Sequence, residues 1–241
     1  MLEVEDRTEI KRVPRQKRSQ DRFERVLQAS LRLFSTHGYE SVSMREIARE
    51  AQMPIATVYQ YFPMKLAIVR EIWSRYTSDI TGALAEGIRL SLEKGQDQSQ
   101  ELIGSIVDRM AQLQASNPAF IEIWSCVAAS LELRALNVED SLHNARLIAD
   151  YLKKLQPHAD AKWLYDRALI AVETTSSTTR LALGLPEPHR ARILNSLKAA
   201  IAQMVDPDCI VKSPHSFSKA AVRHGKGKNA KGGAGRKATN A

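Results

Sequence analysis

The residues of this chain best suited to chemistry at a surface lie close together in the segment PIATVYQYFPMK, which begins at Pro54. Four of them carry a hydroxyl or an amide that can reach phosphates and base edges: Thr57, Tyr59, Gln60 and Tyr61. Lys65 follows at the start of the next predicted helix, where its ammonium and the free N–H groups could bind one phosphate together. A helix that only packs in a core would present leucines, so the segment predicts contact with a nucleic acid.

Two short helices joined by a tight turn are predicted to position these side chains. Ser43 and Glu46 have the spacing of a capping box, which starts the first of the two. Gln52-Met53 form the turn, and Pro54 suits the first helical position because an N–H there would be unpaired anyway. A longer helix precedes them and should end near Gly38. This order predicts a helix-turn-helix, which places its second short helix in the major groove of DNA.

The other side chains of the last helix divide between core and DNA. Val58 and Phe62 are four residues apart and are predicted to pack on the two helices before them. Ile55 adds an apolar group on the DNA side, where it could contact a thymine methyl. Arg45 on the preceding helix has two open interpretations, a phosphate contact and a solvated helix face.

Several motifs follow one another at fixed spacing between residues 19 and 68. They are Leu33-Phe34, Gly38-Tyr39, Ser43-Met44-Arg45-Glu46-Ile47-Ala48, Thr57-Val58-Tyr59-Gln60-Tyr61-Phe62 and Lys65. Together they resemble the DNA-binding domain of the TetR family of bacterial repressors. The resemblance implies an all-α homodimer with an N-terminal three-helix DNA-binding domain and a larger C-terminal helical bundle for ligand binding and dimerisation. It also implies DNA contacts by Thr57, Tyr59 and Tyr61, and a phosphate contact by Lys65.

The chain departs from the family pattern at the turn. The family usually has Gly-Val-Ser where this chain has Gln52-Met53-Pro54, and Ala56 stands at a small position that is often glycine. The missing serine removes a cap from the recognition helix, although Pro54 partly offsets the loss by fixing φ. With these departures included, the predicted DNA-binding residues are Ser43, Arg45, Ile55, Ala56, Thr57, Tyr59, Gln60, Tyr61 and Lys65.

The net charge of +8 is concentrated at the two ends of the chain. We predict a disordered charged arm over residues 1–18 and a disordered basic tail over residues 206–241. Between them we predict the helix-turn-helix domain at 19–65 and the ligand-binding and dimerisation domain at 66–205. Basic ends attract polyanions, so the tail either adds nonspecific affinity for DNA or serves only solubility.

Cysteine, histidine and hydropathy patterns exclude several other classes of protein. Cys126 and Cys209 are far apart and favour a reducing compartment, and the six histidines form no close pair at metal-ligand spacing. No apolar run approaches the length of a membrane span, and residues 1–20 lack the apolar core of a secretory signal. We therefore expect a cytoplasmic protein without membrane contact, metal or cofactor. The absence of a phosphate loop, nucleophile elbow or paired-carboxylate motif predicts no enzyme activity.

The larger domain is predicted to contain helices near 98–116, 118–135, 138–155, 159–184 and 187–205. One apolar stripe is predicted to be core and is also the candidate lining of a pocket for a small, apolar effector: Phe120, Ile123, Trp124 and Val127. By the family resemblance, the last two helices should form a four-helix bundle with the partner chain. The residues predicted for that interface are Thr175, Thr179, Leu183, Ile193, Leu197 and Ile201. The alternative is that the polar run 173–180 lines the ligand site.

The sequence thus predicts a homodimeric repressor that binds a roughly palindromic DNA operator and is released by a small-molecule effector. Two alternatives belong to other classes. One is a nonspecific or architectural DNA-binding protein that uses mainly its basic ends, and the other is a helical-bundle enzyme that carries the DNA module. Only the first prediction requires that operator sequence matters and that single substitutions on the recognition helix abolish binding.

Overall fold

Nine α-helices and no strand make up the residues that the computed structural model describes, which are 10, 16–94 and 99–205. The all-α fold class is confirmed. The helices are α1 (Lys17–His37), α2 (Met44–Glu50), α3 (Ile55–Tyr61), α4 (Lys65–Lys94), α5 (Ser99–Ser116), α6 (Phe120–Ala129), α7 (Leu131–Leu155), α8 (Ala161–Leu183) and α9 (His189–Val205).

The first three helices form a small head (α1 to α3), because each contributes an apolar face to one shared core. Phe34 and Val58 have no exposed surface in this core. As predicted, α1 ends at His37, and Gly38 follows with a φ of 74°, a conformation that favours glycine. The predicted capping box is confirmed too: Ser43 Oγ accepts from the Glu46 N–H at 3.2 Å, and the Ser43 N–H donates to the Glu46 carboxylate at 2.7 Å.

A Schellman motif closes α2 and makes the turn into α3. The Met53 N–H donates to the Ala48 carbonyl, and the Gln52 N–H donates to the Arg49 carbonyl, both at 3.0 Å. Gln52 lies at a φ of 54° and is the one residue other than glycine with positive φ among the described residues. The motif fixes the angle between α2 and α3, although the residue in the left-handed position is not glycine.

Two predicted helix boundaries need correction. α3 begins at Ile55 rather than Pro54, because Pro54 has an extended ψ of 138° and caps the helix from outside. The break predicted between residues 135 and 138 is wrong, since α6 ends and α7 begins at Ser130. The Ser130 hydroxyl accepts from the Leu133 N–H at 3.4 Å, so the chain turns at this N-cap and the helix then runs on without interruption.

The core of the head extends into α4 and α6. Trp73 of α4 has its ring centroid 6.4 Å from that of Phe120 and 5.4 Å from that of Trp124. These three rings belong to the same buried cluster as the head. Separate, smaller clusters hold α5, α7, α8 and α9 together. The core therefore continues past Lys65, where the predicted DNA-binding domain ends.

The predicted arm and tail lie mostly outside the described residues. Within the predicted arm, Ile10 packs against the core of the head, and Lys17 and Arg18 form the first turn of α1. Residues 1–9, 11–15 and 206–241 are not described. In the part of the chain that is described, no helix is both long and apolar enough to cross a membrane.

Candidate nucleic-acid interface and ligand cavity

The short helix α3 has two distinct faces. Ile55, Ala56, Tyr59 and Gln60 are exposed and share one face, because they recur at spacings of three and four residues. Tyr59 is 42% exposed and Ile55 is 37% exposed, which is unusual for side chains of their size. Thr57 is half-buried beside this face. The exposed face combines a phenol, an amide and an apolar group, which are suited to base edges and thymine methyl groups.

Tyr61 belongs to the opposite face of α3, and this corrects its predicted role in DNA contact. Its side chain is 4% exposed, and its ring meets the Phe23 ring edge-on at 5.7 Å. The Tyr61 hydroxyl pairs with Ser19 Oγ at 2.8 Å. The position lies three residues after buried Val58, so the helical period turns Tyr61 towards α1 and away from the exposed face.

The ammonium of Lys65, the predicted phosphate contact, is engaged within the protein. Lys65 Nζ donates to the carbonyls of Tyr39, Glu40 and Val42, the last at 2.7 Å, and lies 4.0 Å from the centroid of the Tyr39 ring. An ammonium has three N–H donors, so three carbonyls use its capacity. Burial lowers the pKa of Lys65. Through these contacts, the Lys65 side chain stabilises the connection between α1 and α2.

The start of α2 presents the other predicted contacts. Ser43 and Arg45 are exposed, and the hydroxyl of Ser43 also donates to the Glu46 carboxylate at 2.8 Å. The backbone and side-chain hydrogen bonds from Ser43 lower the pKa of Glu46. Ser43 is thus bound into the cap, whereas the exposed Arg45 side chain forms no ion pair or hydrogen bond with the described residues.

An apolar cavity lies among α4, α5, α7, α8 and α9. Its interior offers about 90 Å³ to the centres of water-sized groups, within about 750 Å³ of empty space that includes open solvent at the mouth. Its walls are Ile80, Leu84, Leu102, Ile103, Ile106, Val107, Met110, Asn144, Ile148, Tyr151, Leu152, Ala171, Val172, Thr175, Ile201 and Val205. None of these side chains is charged, and Asn144, Tyr151 and Thr175 supply the polar groups. Such a site suits a neutral, mainly hydrocarbon ligand.

The residues predicted to line a ligand pocket do not line this cavity. Phe120, Ile123 and Val127 are 3%, 1% and 1% exposed and pack in the core shared with the head. Trp124 is half-buried and lies under Arg180, whose guanidinium is 4.0 Å from its ring centroid. Large rings that interlock fill space rather than leave it, which is why the aromatic stripe of α6 forms core.

α6 also makes a polar contact with the end of α1. The Glu122 carboxylate accepts from the Tyr39 N–H at 3.3 Å. Cys126 lies nearby, and burial raises its pKa to about 11, so the thiol stays protonated at neutral pH. α6 is therefore attached to the head by both apolar and hydrogen-bonded contacts.

The predicted dimer contacts lie on α8 and α9, and most of them are on the inward faces of these helices. Thr175, Thr179, Leu197 and Ile201 are buried within the protomer, and Thr175 and Ile201 line the cavity. Leu183 is half-buried against the core that contains the head, and Ile193 is half-buried on α9. On each helix, the most hydrophobic stripe packs in the chain's own core. Interface residues chosen by hydrophobicity therefore fall on the inward face.

The outward faces of α8 and α9 were missed by this reasoning. Ile170 and Leu181 on α8 are 54% and 64% exposed, and Ser177 lies exposed between them. The exposed positions of α9 carry mostly small or polar side chains: Ala191, Arg192, Asn195, Ser196, Ala199, Ala200 and Gln203. In the sequence, the one sign of this face is that Ile170 and Leu181 are eleven residues apart and so share one side of a helix. Their exposure is visible only in the structure.

Two family models match the chain. One is described as bacterial regulatory proteins of the tetR family and matches residues 26–72. The other is described as a tetracyclin repressor-like C-terminal domain and matches residues 97–208. The two matches cover most of the head and all of α5 to α9, and the part of α4 after residue 72 lies between them.

Curated relatives are named as transcriptional regulators. The HTH-type transcriptional repressor KstR of Mycolicibacterium smegmatis is 29% identical over 147 residues, which are 54% of this chain and 72% of the relative. KstR of Rhodococcus jostii is 43% identical over 49 residues, 20% of this chain and 23% of the relative. The HTH-type transcriptional regulator LuxR of Vibrio harveyi is 25% identical over 103 residues, 43% of this chain and 48% of the relative.

Solved structures share the fold. A transcriptional regulator of the TerR/AcrR family from Aquifex aeolicus superposes with a TM-score of 0.55 at 20% identity, covering 75% of this chain and 97% of that one. A TetR-like transcriptional regulator from Rhodococcus sp. RHA1 gives 0.54 at 18% identity, covering 78% and 97%. With the helix-turn-helix geometry and the two family models, these findings establish that the chain belongs to the TetR family and is a DNA-binding transcriptional regulator.

Proposed function

We propose that this regulator is a homodimeric repressor in the cytoplasm that leaves its DNA operator when a neutral, apolar effector fills the cavity. The observation that carries the proposal is that the chain has two separate features. One is the exposed polar face of α3, and the other is an uncharged cavity lined in part by Ile80 and Leu84 of α4. No catalytic step is part of the proposal. The operator is roughly palindromic, with half-sites one helical turn or more apart, because a two-fold dimer presents two recognition helices.

The operator contacts in this proposal come from the exposed residues alone. Ile55, Ala56, Tyr59 and Gln60 read base edges, and half-buried Thr57 contacts the sugar-phosphate backbone at the edge of the same face. Ser43 and Arg45 contact phosphates at the start of α2, where free N–H groups also favour an anion. Tyr61 and Lys65 take part indirectly, since they hold α3 and the α1–α2 connection in position.

The proposed dimer interface uses the outward faces of α8 and α9. The exposed Ile170 and Leu181 supply apolar area, and the small side chains of α9, such as Ala199, allow a partner helix to approach closely. Leu183 and Ile193 remain candidates at the edge of this surface. Burial of exposed apolar side chains is the driving force expected for such an association.

Helix α4 supports a route from effector to DNA. It begins at Lys65, directly after α3, and reaches the cavity with Ile80 and Leu84. An effector that pushes on these two side chains would move α4, and the head would follow because its core includes Trp73 of the same helix. The spacing of the two heads in the dimer then changes and affinity for the operator falls. By linkage, bound DNA must weaken effector binding by the same factor.

The test begins with footprinting on the DNA upstream of the gene, with excess competitor DNA and two salt concentrations. A protected palindrome that survives both conditions defines the operator, and its labelled duplex then serves for titration. Tyr59→Ala should weaken binding roughly 10- to 100-fold, the scale of one good base contact, with no change in melting temperature. Tyr61→Phe is the matched control, two residues away, and should retain the affinity.

Three results would contradict parts of this proposal. Diffuse, salt-sensitive protection of any DNA would indicate that the protein binds DNA nonspecifically through its basic ends. Equal loss of operator affinity in the Tyr59 and Tyr61 variants would show that the DNA contact is not confined to the exposed face of α3. A monomer by sedimentation at micromolar concentration, unchanged by Leu181→Glu, would remove the dimer and with it the palindrome.

A further inference from the structure

The apolar cavity contains a single amide side chain, that of Asn144 on α7. Asn144 is 8% exposed, and the Thr81 hydroxyl on α4 donates to its Oδ1 at 2.9 Å. Within the described residues this is the one hydrogen bond of the Asn144 side chain. Its Nδ2 amino group therefore has no acceptor among the described residues, on a side chain that lines the cavity.

Nothing in the surrounding wall supplies that acceptor. The neighbouring lining residues are aliphatic, and the hydroxyl of Tyr151 is already paired with Ser91 Oγ at 2.7 Å. The Thr175 hydroxyl, the remaining polar group, belongs to α8. Buried donors in folded proteins are nearly always paired, so an open donor in an otherwise apolar cavity indicates a ligand that completes it.

The geometry points to an effector with one carbonyl oxygen, held by Asn144 Nδ2, on an otherwise hydrocarbon body. This inference rests on the proposed role of the cavity as the effector site. A carboxylate or phosphate does not fit, because no lining side chain is charged and the anion would be buried with one neutral donor. A carbonyl accepts only, so it takes the hydrogen bond from Nδ2 and leaves the Thr81 bond to Oδ1 intact.

The same hydrogen bonds connect the effector to α4. The carbonyl would bind Asn144 on α7, and Asn144 is bound to Thr81, which lies one residue after the cavity-lining Ile80. The oxygen of the effector thus fixes its orientation against the helix that leads to the head. Asn144 is a specificity-determining residue in this scheme, and the aliphatic wall supplies most of the affinity.

The test compares two ring compounds of the same carbon skeleton, cyclododecanone and cyclododecane, with the full-length protein. Each displaces Nile red, a neutral dye that fluoresces in apolar surroundings. Wild type should bind the ketone about tenfold more tightly than the hydrocarbon, the scale of one hydrogen bond. Asn144→Leu should lose this preference while its affinity for cyclododecane stays within about twofold, which also shows that the cavity is intact. Asn144→Ala should behave in the same way.

Thr175→Val is the matched control, since it removes the Thr175 hydroxyl from the cavity wall without a change in size, and it should keep the ketone preference. Equal affinity of wild type for both compounds overturns the inference and leaves the effector cavity standing. A preference that survives Asn144→Leu, or that disappears in Thr175→Val alone, also overturns it. Failure of the dye and both compounds to bind at all overturns the cavity as the effector site, and the role of Asn144 with it.

Discussion

Two buried regions of this protein are made from different side chains and behave in opposite ways. In the head, aromatic rings interlock: the Phe23 ring lies 4.7 Å from Phe62 and meets Tyr61 edge-on. Around the cavity the wall is aliphatic, and Tyr151 is its one aromatic lining residue. Aromatic pairs favour particular geometries, whereas aliphatic side chains tolerate repacking. Interlocked rings therefore hold the surface of the head in place, and an aliphatic wall suits the effector that we propose for the cavity.

The two regions meet along α4, and each uses a different part of it. Trp73 and Tyr76 stack at 5.1 Å in the aromatic region, while Ile80 and Leu84 face the cavity. The transition is marked by Gln114, which donates to the Tyr76 hydroxyl at 3.0 Å from α5. The helix α4 therefore passes from a packed aromatic environment to an aliphatic one within two turns. This arrangement suits the proposed transmission of movement from the cavity to the head.

The largest test of this comparison is a pair of truncations. Phe62→Ala in the head should lower the free energy of unfolding by about 3–5 kcal/mol, because it leaves a void among fixed rings. Ile106→Ala in the cavity wall should cost about 2 kcal/mol, since it removes apolar contact where space already exists. Urea unfolding of both variants measures the difference. Equal losses would show that the cavity is closed and packed in solution like the head.

A second test concerns the ammonium that braces the head. Lys65→Met keeps the apolar stem but leaves the carbonyls of Tyr39 and Val42 without their donor. The free energy of unfolding should fall by about 1.5–3 kcal/mol, the scale of hydrogen bonds to a charged group. Operator affinity should decline only as far as the folded fraction does. If the variant has normal stability but has lost its affinity for the operator, the result would support the phosphate contact that the sequence predicted for Lys65.

The same contrast explains what could be predicted from the sequence. In the head, each signal is local: the Ser43 and Glu46 spacing gives the cap, and Gly38 gives the end of α1. The exposed face of α3 followed from residue types as well, apart from Tyr61, whose phenol suits a core and a DNA surface equally. The carbonyl contacts of Lys65 could not be predicted, because its partners are 23 to 26 residues away and no local pattern reports them.

The cavity could not be predicted, for a physical reason. A wall residue such as Ile106 has the same periodicity as a packed one, because space left empty has no signature in the chain. The interlocked rings of α6 were chosen as pocket residues since aromatic stripes suit both core and ligand. On α8, Thr175 and Leu181 are both plausible interface residues by type, and only the fold decides which faces inward.

A smaller effect is expected at the capping box, and it depends on pH. Ser43→Ala should destabilise the protein by about 1 kcal/mol at neutral pH. Hydrogen bonds from Ser43 lower the pKa of Glu46 below its ordinary 4.5 in the folded state. A lowered carboxyl pKa contributes stability above the unfolded value, and this contribution is lost as the pH falls through the folded value. The gap between wild type and variant, measured by thermal unfolding, should therefore narrow below pH 4.5.

The smallest predicted effect is a gain in stability in the head. Gln52 has a φ of 54°, and the left-handed conformation costs a residue with a Cβ about 1–2 kcal/mol. Gln52→Gly removes that cost but adds freedom to the unfolded chain worth about 0.4–1 kcal/mol, so the net gain in the free energy of unfolding is about 0–1.6 kcal/mol. For a chain of this size, a gain of about 1 kcal/mol raises the melting temperature by about 2–4 °C.

The neighbouring Ala51 provides the control for Gln52→Gly, because its φ of −73° suits any residue. Ala51→Gly should lower the melting temperature, since it adds unfolded freedom and removes a buried methyl group without relieving strain. Opposite signs at adjacent positions would show that the turn stores strain at Gln52 alone. If both variants are destabilised, the side chain of Gln52 contributes more than its conformation costs, and the rigid head then depends on this turn as well as on its rings.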